Sequence, residues 1–227
     1  MKIIFLNAWH ARQTEAMTAF LQQNVLDTDV FCFQEAGDQL RAICRKILIN
    51  YKLAFTNKNI SDDEGFSQAI CLKKDLPVLS SAAIGLDIEM SGIGQYVRVP
   101  FGSQRLNICN FHGLSRPNEK LDTPDRLKQS KLIIDFFSNR PGFTIIGGDF
   151  NLTPNTESIN LFEQNGYRNL IKDFNVKTTR NHLAWDRFTE KYDYSDYVFT
   201  SPRLKIKSFK VPNIEISDHL PLMVELS

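Results

Sequence analysis

The sequence predicts an α/β protein in which two mixed β-sheets pack together with helices outside, and three observations carry that expectation. The chain opens β-α-β, its middle is mostly strand with antiparallel connections, and its last third returns to strands after a capped helix. Lys2 to Leu6 reads as a strand, Met17, Phe20, Leu21 and Val25 recur at helical spacing, and Val30 to Gln34 is a second strand. A second helix carries Leu40, Ile43, Cys44, Ile47 and Leu48 on one face. Strand-like runs then follow around Tyr51 to Phe55, Ala69 to Leu72 and Val78 to Gly85. Gln95 to Phe101 and Arg105 to Phe111 flank Gly102-Ser103 as a hairpin. Thr123-Pro124-Asp125 starts a third helix, with Thr123 as N-cap, Pro124 at its first position, and Leu127, Ile134 and Phe137 facing inward. A strand over 143–147 leads into "GGDFN", and Thr156 to Gln164 reads as a short helix ended near Gly166. Asp196 to Thr200, Leu204 to Val211 and Leu220 to Leu226 are the closing strands.

Composition narrows the class. At 227 residues and 42% hydrophobic, the chain can bury a large core within one domain spanning residues 1–227. Its 27 basic and 26 acidic side chains nearly cancel, so any site for a polyanion must be local. Cys32, Cys44, Cys71 and Cys109 are widely spaced with no C-x-x-C, which suits buried free thiols in a reducing compartment. The apolar part of MKIIFLNAWH is too short for a signal segment, and no run reaches the length of a membrane span. The expectation is a cytoplasmic protein without membrane insertion, with periplasmic export as the alternative.

Polar residues of one chemical kind recur where strands end: Asn7 in "FLNAWH", Glu35 in "FCFQEA", His112 in "NFHG", Asp149 and Asn151 in "GGDFN", Asp196 in "YSDYVF" and Asp218-His219 in "ISDHLP". One carboxylate beside a buried strand is ordinarily a cap or a satisfied edge residue, but six such places are harder to assign to chance. Carboxylates buried together need a cation or a proton. The oxygen-rich donor set suits Mg²⁺, with Mn²⁺ as a substitute, and no Cys/His cluster has zinc spacing. A divalent cation, a water-orienting carboxylate, an amide and two histidines point to hydrolysis at phosphorus. Gly147-Gly148 reads as the place where the backbone turns close to a phosphate.

These segments, in this order from "FLNAWH" to "SDHLPLMVEL", resemble the endonuclease/exonuclease/phosphatase superfamily, the deoxyribonuclease I-like metal-dependent phosphoesterases. The resemblance implies a four-layer α/β sandwich with two β-sheets in the middle and the site at one end. It implies that Glu35 and Asn7 hold the metal, with Asp218 a metal-side acid. It also implies that Asp149 aligns the attacking water, that Asn151 and His112 contact phosphate, and that Asp196 orients His219 against the scissile group. The expected activity is Mg²⁺-dependent hydrolysis of a phosphodiester, possession of a nuclease-type substrate being the first expectation. A phosphomonoesterase, a sphingomyelinase-like lipid phosphodiesterase and a catalytically silent binding module are the alternatives.

Other features have plainer readings. Ser217-Asp218-His219 cannot form a serine-hydrolase triad, because adjacent residues do not converge and no G-x-S-x-G is present. The acidic turn Ser61 to Gly65 lacks the ligand alternation of a calcium loop. His10 and His182 read as surface or structural histidines. Arg203, Lys205 and Lys207 alternate as a charged edge strand. Trp9, Trp185 and Phe188 are candidates to stack on a substrate or pack in the core, and Arg126 is a candidate substrate contact. Compactness favours a monomer.

Overall fold

The computed structural model describes residues 1–60, 65–185 and 191–227, so the acidic turn at 61–64 and Phe188 lie outside the described residues. The first β-α-β unit is β1 (Lys2–Asn7), α1 (Thr14–Asn24) and β2 (Val30–Gln34), with a tight turn at Trp9–Ala11. After α2 (Asp38–Ile47) come β3 (Tyr51–Asn59), β4 (Gly65–Lys73), β5 (Ser80–Ile84), β6 (Ile93–Phe101) and β7 (Gln104–His112). A second β-α-β unit joins β7 through α3 (Pro124–Ser138) to β8 (Phe143–Asp149). The remainder is α4 (Glu157–Gln164), β9 (Arg168–Asn169), α5 (Leu170–Asp173), α6 (His182–Trp185), β10 (Asp196–Thr200), β11 (Ile206–Lys210) and β12 (Leu222–Leu226).

Two six-stranded sheets result, ordered β11-β12-β1-β2-β4-β3 and β5-β6-β7-β8-β10-β9. Each is mixed in the same way. One parallel pair lies at its centre, β1-β2 in the first and β7-β8 in the second, and the flanking pairs are antiparallel. Period-two alternation explains the layering. On β1 and β2, Ile3, Phe5, Val30 and Cys32 face the other sheet, while Ile4, Leu6, Phe31 and Phe33 join Met17, Phe20, Leu21, Leu40, Ile43 and Cys44 beneath α1 and α2. The outer face of the second sheet is covered by α3 and α4 through Ile133, Ile134, Phe137, Ile159 and Phe162. The order helix, sheet, sheet, helix is the four-layer sandwich.

The topology brings the strand ends together. Asn7 and Gln34 are neighbours at the carboxyl ends of the parallel β1-β2 pair, as are His112 and Asp149 at the ends of β7-β8. Antiparallel β10 begins with Asp196 opposite Asp149, and antiparallel β12 starts beside the end of β1, delivering Asp218 and His219 there. All the sequence-selected ends therefore meet at one edge of the sandwich, outside the carboxyl ends of the parallel strands where α/β sheets mount their ligands.

Several local expectations need correction. Strand β8 does not stop at its glycines but continues to Asp149, and the glycines answer to packing rather than to a turn. A Cβ on Gly147 would lie 2.8 Å from the Phe5 ring, and one on Gly148, at φ +133°, would lie 2.1 Å from the Phe111 carbonyl oxygen. The Gly147→Ala change is accordingly expected to cost about 1–3 kcal/mol by overpacking. A urea titration showing an unchanged midpoint would refute this reading. The basic stripe is broken: β11 begins at Ile206, so Lys207 alone of the three lies in the strand, where it pairs with Glu225 at 2.6 Å. β11 is nevertheless a sheet edge, as its charge suggests. The four cysteines are free and buried. Among the described residues no helix is long and apolar enough to cross a membrane.

Candidate active site

Phe150 explains how "GGDFN" presents its polar pair. Its ring is fully buried and packs edge-on against Phe111, Phe162, Tyr197 and Phe199 at centroid distances of 4.8, 5.5, 5.5 and 5.4 Å. With Phe150 pinned below, Asp149 and Asn151 on either side face the cleft. Asn151 adopts φ +55°, and Glu35 just past β2 adopts φ +50°. Trp9, His10 and Ala11 past β1 also have positive φ, of 47°, 54° and 58°. Left-handed backbone at non-glycine residues costs about 1–3 kcal/mol each and gathers where a site requires it. Four of these five residues line one cleft, and the fifth, Ala11, is buried directly behind it.

Asp149 is the hub. Its Oδ1 accepts hydrogen bonds from the Asn151 backbone N–H at 2.9 Å and the Ser195 hydroxyl at 2.5 Å, and its Oδ2 accepts from Asn7 Nδ2 at 3.0 Å. The same Asn7 Nδ2 donates to Glu35 Oε1 at 3.0 Å, and the Asn7 oxygen accepts from the Trp9 N–H. Burial pushes the Asp149 carboxyl up, yet His219, Lys120, His112 and the Ser195 hydrogen bond together hold it well below the usual carboxylate range. Asp149 is thus an anion.

His219 is held by Asp196, whose two carboxylate oxygens each lie 2.9 Å from Nδ1. That contact makes Nδ1 the protonated donor and turns Nε2 toward Asp149 Oδ2, 3.7 Å away. The gap is too long for a direct hydrogen bond and short enough for one oxygen atom to contact both groups. Burial and Arg180 depress the histidine's pKa, but Asp196, Asp149 and Asp218 outweigh them and the net shift is upward. His112 behaves oppositely. Burial dominates and lowers its pKa, its Nε2 lies 3.9 Å from Asp149 Oδ2, and its Nδ1 has no hydrogen-bond partner among the described residues. Asp149, Asp196 and His219 bring ligand-capable atoms within 4.8 Å of one another, a buried group able to take a metal ion.

Three expectations change. Arg126 is not turned toward substrate: it is fully buried, and its guanidinium donates to the carbonyls of Leu114, Ser115, Pro117, Glu119 and Leu121. It shapes the loop after β7 from beneath. Asp218 is engaged by Arg180, with Nη2 3.1 Å from Oδ2 and both side chains buried, so its charge is met by a guanidinium rather than left for a cation. His10 joins the cleft, with Nε2 3.5 Å from Glu35 Oε2, although its side chain is about half exposed. His182 stays at the surface, 3.7 Å from Glu215.

Sequence reasoning missed Lys120, Arg180, Ser195 and Tyr192. Together with Trp9, Trp185, His10, Glu35, His112, Asp149, Asn151, Asp218 and His219, the residues Lys120, Arg180 and Tyr192 line a cleft of about 460 Å³. Only Ser195, directly before Asp196 at the start of β10, carried a signal by its position.

The sequence pattern of the Endonuclease/Exonuclease/phosphatase family matches residues 4–219. The chain belongs to the endonuclease/exonuclease/phosphatase family. As a member of this family it is a metal-dependent hydrolase of phosphoric esters. No curated protein matches the chain significantly. Solved structures do. The endonuclease/exonuclease/phosphatase from Bacteroides vulgatus superposes with a TM-score of 0.78 at 16% identity, covering 100% of this chain and 98% of that one. The truncated Caenorhabditis elegans TDP2 gives 0.74 at 20% identity over 99% and 96% of the two chains. A Bacteroides thetaiotaomicron mannosyl-6-phosphatase gives 0.74 at 18% over 100% and 99%. At these identities the likeness is one of fold.

Proposed function

We propose that the protein is a Mg²⁺-dependent phosphodiesterase acting on nucleic acid or on a small phosphodiester with a flat, apolar substituent. The observation that carries this reading is the pair formed by Asp196-held His219 and anionic Asp149, with room for one reacting oxygen between them. The cleft beside it carries Trp9, Trp185 and Tyr192, surfaces on which a base or aromatic alcohol can stack.

Glu35 with Asn7 would hold the cation. The Glu35 carboxylate is partly exposed to the cleft, its oxygens meet the Asn7 amide and His10, and no Lys or Arg pairs with it among the described residues. An oxygen donor set of that kind fits a hard divalent ion. When bound, the ion polarises a phosphoryl oxygen. Asp149 orients the attacking water and accepts its proton as the new P–O bond forms and the bond from phosphorus to the leaving oxygen breaks, that oxygen taking a proton from solvent as it departs. Asn151 holds a phosphoryl oxygen. His219 donates from Nε2 to the developing negative charge, and Asp196 fixes its tautomer. His112, kept neutral by burial, offers an uncharged hydrogen bond to the leaving oxygen.

A panel of single-stranded DNA, duplex DNA, RNA, bis-p-nitrophenyl phosphate, p-nitrophenyl phosphate and sphingomyelin, each with Mg²⁺, Mn²⁺ or EDTA, tests the reading. The expected outcome is diester cleavage that EDTA abolishes. A second reading, phosphomonoester hydrolysis, is favoured by the shared fold of the mannosyl-6-phosphatase and by the additional cation Lys120, which suits a dianion. Faster cleavage of p-nitrophenyl phosphate than of every diester would select it, and metal binding without any cleavage would leave a binding module.

A further inference from the structure

We infer that Lys120 is a further catalytic residue, whose ammonium takes a non-bridging phosphoryl oxygen as its counter-ion and stabilises it as charge accumulates in the transition state. The inference rests on the phosphoesterase reading of the same cleft. The two buried arginines nearby are already engaged. Arg180 is paired with Asp218, and Arg126 is turned away onto loop carbonyls. Lys120 lines the cleft, is partly buried, and has no carboxylate within ion-pair distance among the described residues. Asp149, the nearest anion, reaches it only at longer range and through Asn151 and Ser195. A cation withdrawn from water without a directly paired anion is costly to hold, and an incoming phosphate would relieve that cost.

Its placement is determined from three sides. Nζ donates to Asn151 Oδ1 at 2.7 Å and to Ser195 Oγ at 3.1 Å, while the Lys120 carbonyl accepts from Thr153 N–H at 2.8 Å. Both side-chain partners are tied to Asp149, through the Asn151 backbone N–H and the Ser195 hydroxyl. An ammonium has three N–H donors, and two are engaged here. The third remains for a ligand beside the group that would carry the attacking water. The loop bearing Lys120 is fixed by Arg126, whose guanidinium holds the carbonyls on both sides of it, Glu119 and Leu121. The buried arginine and the cleft lysine are thus one arrangement: the first shapes the loop, the second uses it. Burial lowers the Lys120 pKa to about 8, so the amine is still mainly protonated at neutral pH.

Two measurements on the full chain test this. Inorganic phosphate binding is followed by calorimetry, and bis-p-nitrophenyl phosphate hydrolysis is resolved into kcat and KM. Lys120→Met is expected to weaken phosphate binding and to lower kcat by roughly 10- to 100-fold each, the worth of one charge-assisted hydrogen bond. Lys120→Cys should be equally impaired and should recover on alkylation with 2-bromoethylamine, which rebuilds an ammonium at nearly the same reach. The native cysteines are all buried, so the new thiol is the accessible one. Values for Lys120→Met within threefold of the parent in both measurements overturn the inference. So does an activity loss that alkylation leaves in place and that accompanies a lowered melting temperature, since that marks a structural role. If the parent protein hydrolyses nothing on the panel, the phosphodiesterase reading falls, and the phosphate titration alone then decides whether Lys120 serves as the anion's cation.

Discussion

Asp149→Asn is expected to lower kcat/KM for phosphoester hydrolysis by about 10²–10⁴-fold, the usual range for losing a positioned general base. The substitution keeps volume and removes charge where three donors converge: Asn7 Nδ2, the Ser195 hydroxyl and the Asn151 N–H. An Asn amide can replace the acceptor on one side only. On the other, its NH₂ would face a donor. The change therefore withdraws the water-orienting anion and unsettles Asn7, which also braces Glu35. Kinetics alongside a thermal melt separate the two effects, and activity within threefold of the parent would falsify the role given to Asp149. Linkage supplies an independent check. Because the folded-state pKa of Asp149 is depressed below the ordinary 3.8, its ionisation stabilises the fold above that value, and the contribution is lost as pH falls through the folded pKa. The parent should lose stability below about pH 4 more steeply than Asp149→Asn does, as read from melting temperatures across the acid range.

How much of this was legible in the sequence depends on how local the cause was. Strands β2 and β10 begin and end where their apolar runs do, and α3 starts at Pro124 with Thr123 accepting from the Arg126 N–H, as the N-cap pattern predicts. Asn7, Glu35, His112, Asp149 and Asp196 were visible because each directly follows or precedes a buried strand, where a polar residue stands out. β9, α5 and α6 span two to four residues, too few to show a period. Lys120 and Arg180 sit in irregular segments, and nothing in their neighbours' identities tells which way a long cation points. The direction of Arg126 was equally hidden, since its partners are carbonyls that every residue possesses. Gly147 reads as a turn in the sequence because the reason for it, the Phe5 ring, comes from the opposite sheet. The inter-sheet amides were overlooked for the same reason. Gln34 donates to Asn110, which donates to the Phe33 and Ala69 carbonyls, tying the sheets just below the site.

His219→Ala is expected to reduce kcat by about 10²–10³-fold, the cost of removing one preorganised donor to developing oxyanion charge. The histidine acts through its partner, so Asp196→Asn should reproduce much of the loss. With Nδ1 no longer held by a carboxylate, the ring can present the wrong tautomer to the cleft, and the ion that stabilised its protonated form is gone. Combining the two substitutions should cost little more than His219→Ala alone, because groups that act as a unit are not additive. Full additivity in that double-mutant cycle would mean that Asp196 and His219 work separately, and the pairing would have to be abandoned. The pH dependence has a definite sign. The folded pKa of His219 is raised above 6.5, so its protonation stabilises the native state fully below that value, and this contribution disappears as pH rises through the folded pKa. His219→Ala should therefore flatten the decline in melting temperature on the alkaline side of pH 6.5. His112→Ala should not, because burial has already lowered that histidine's pKa and left it neutral. Two histidines within reach of one carboxylate are thus tuned in opposite directions by their surroundings, one shifted toward its protonated form by three acids and the other toward its neutral form by burial, which is the separation that acid and hydrogen-bond roles at one phosphoryl group require.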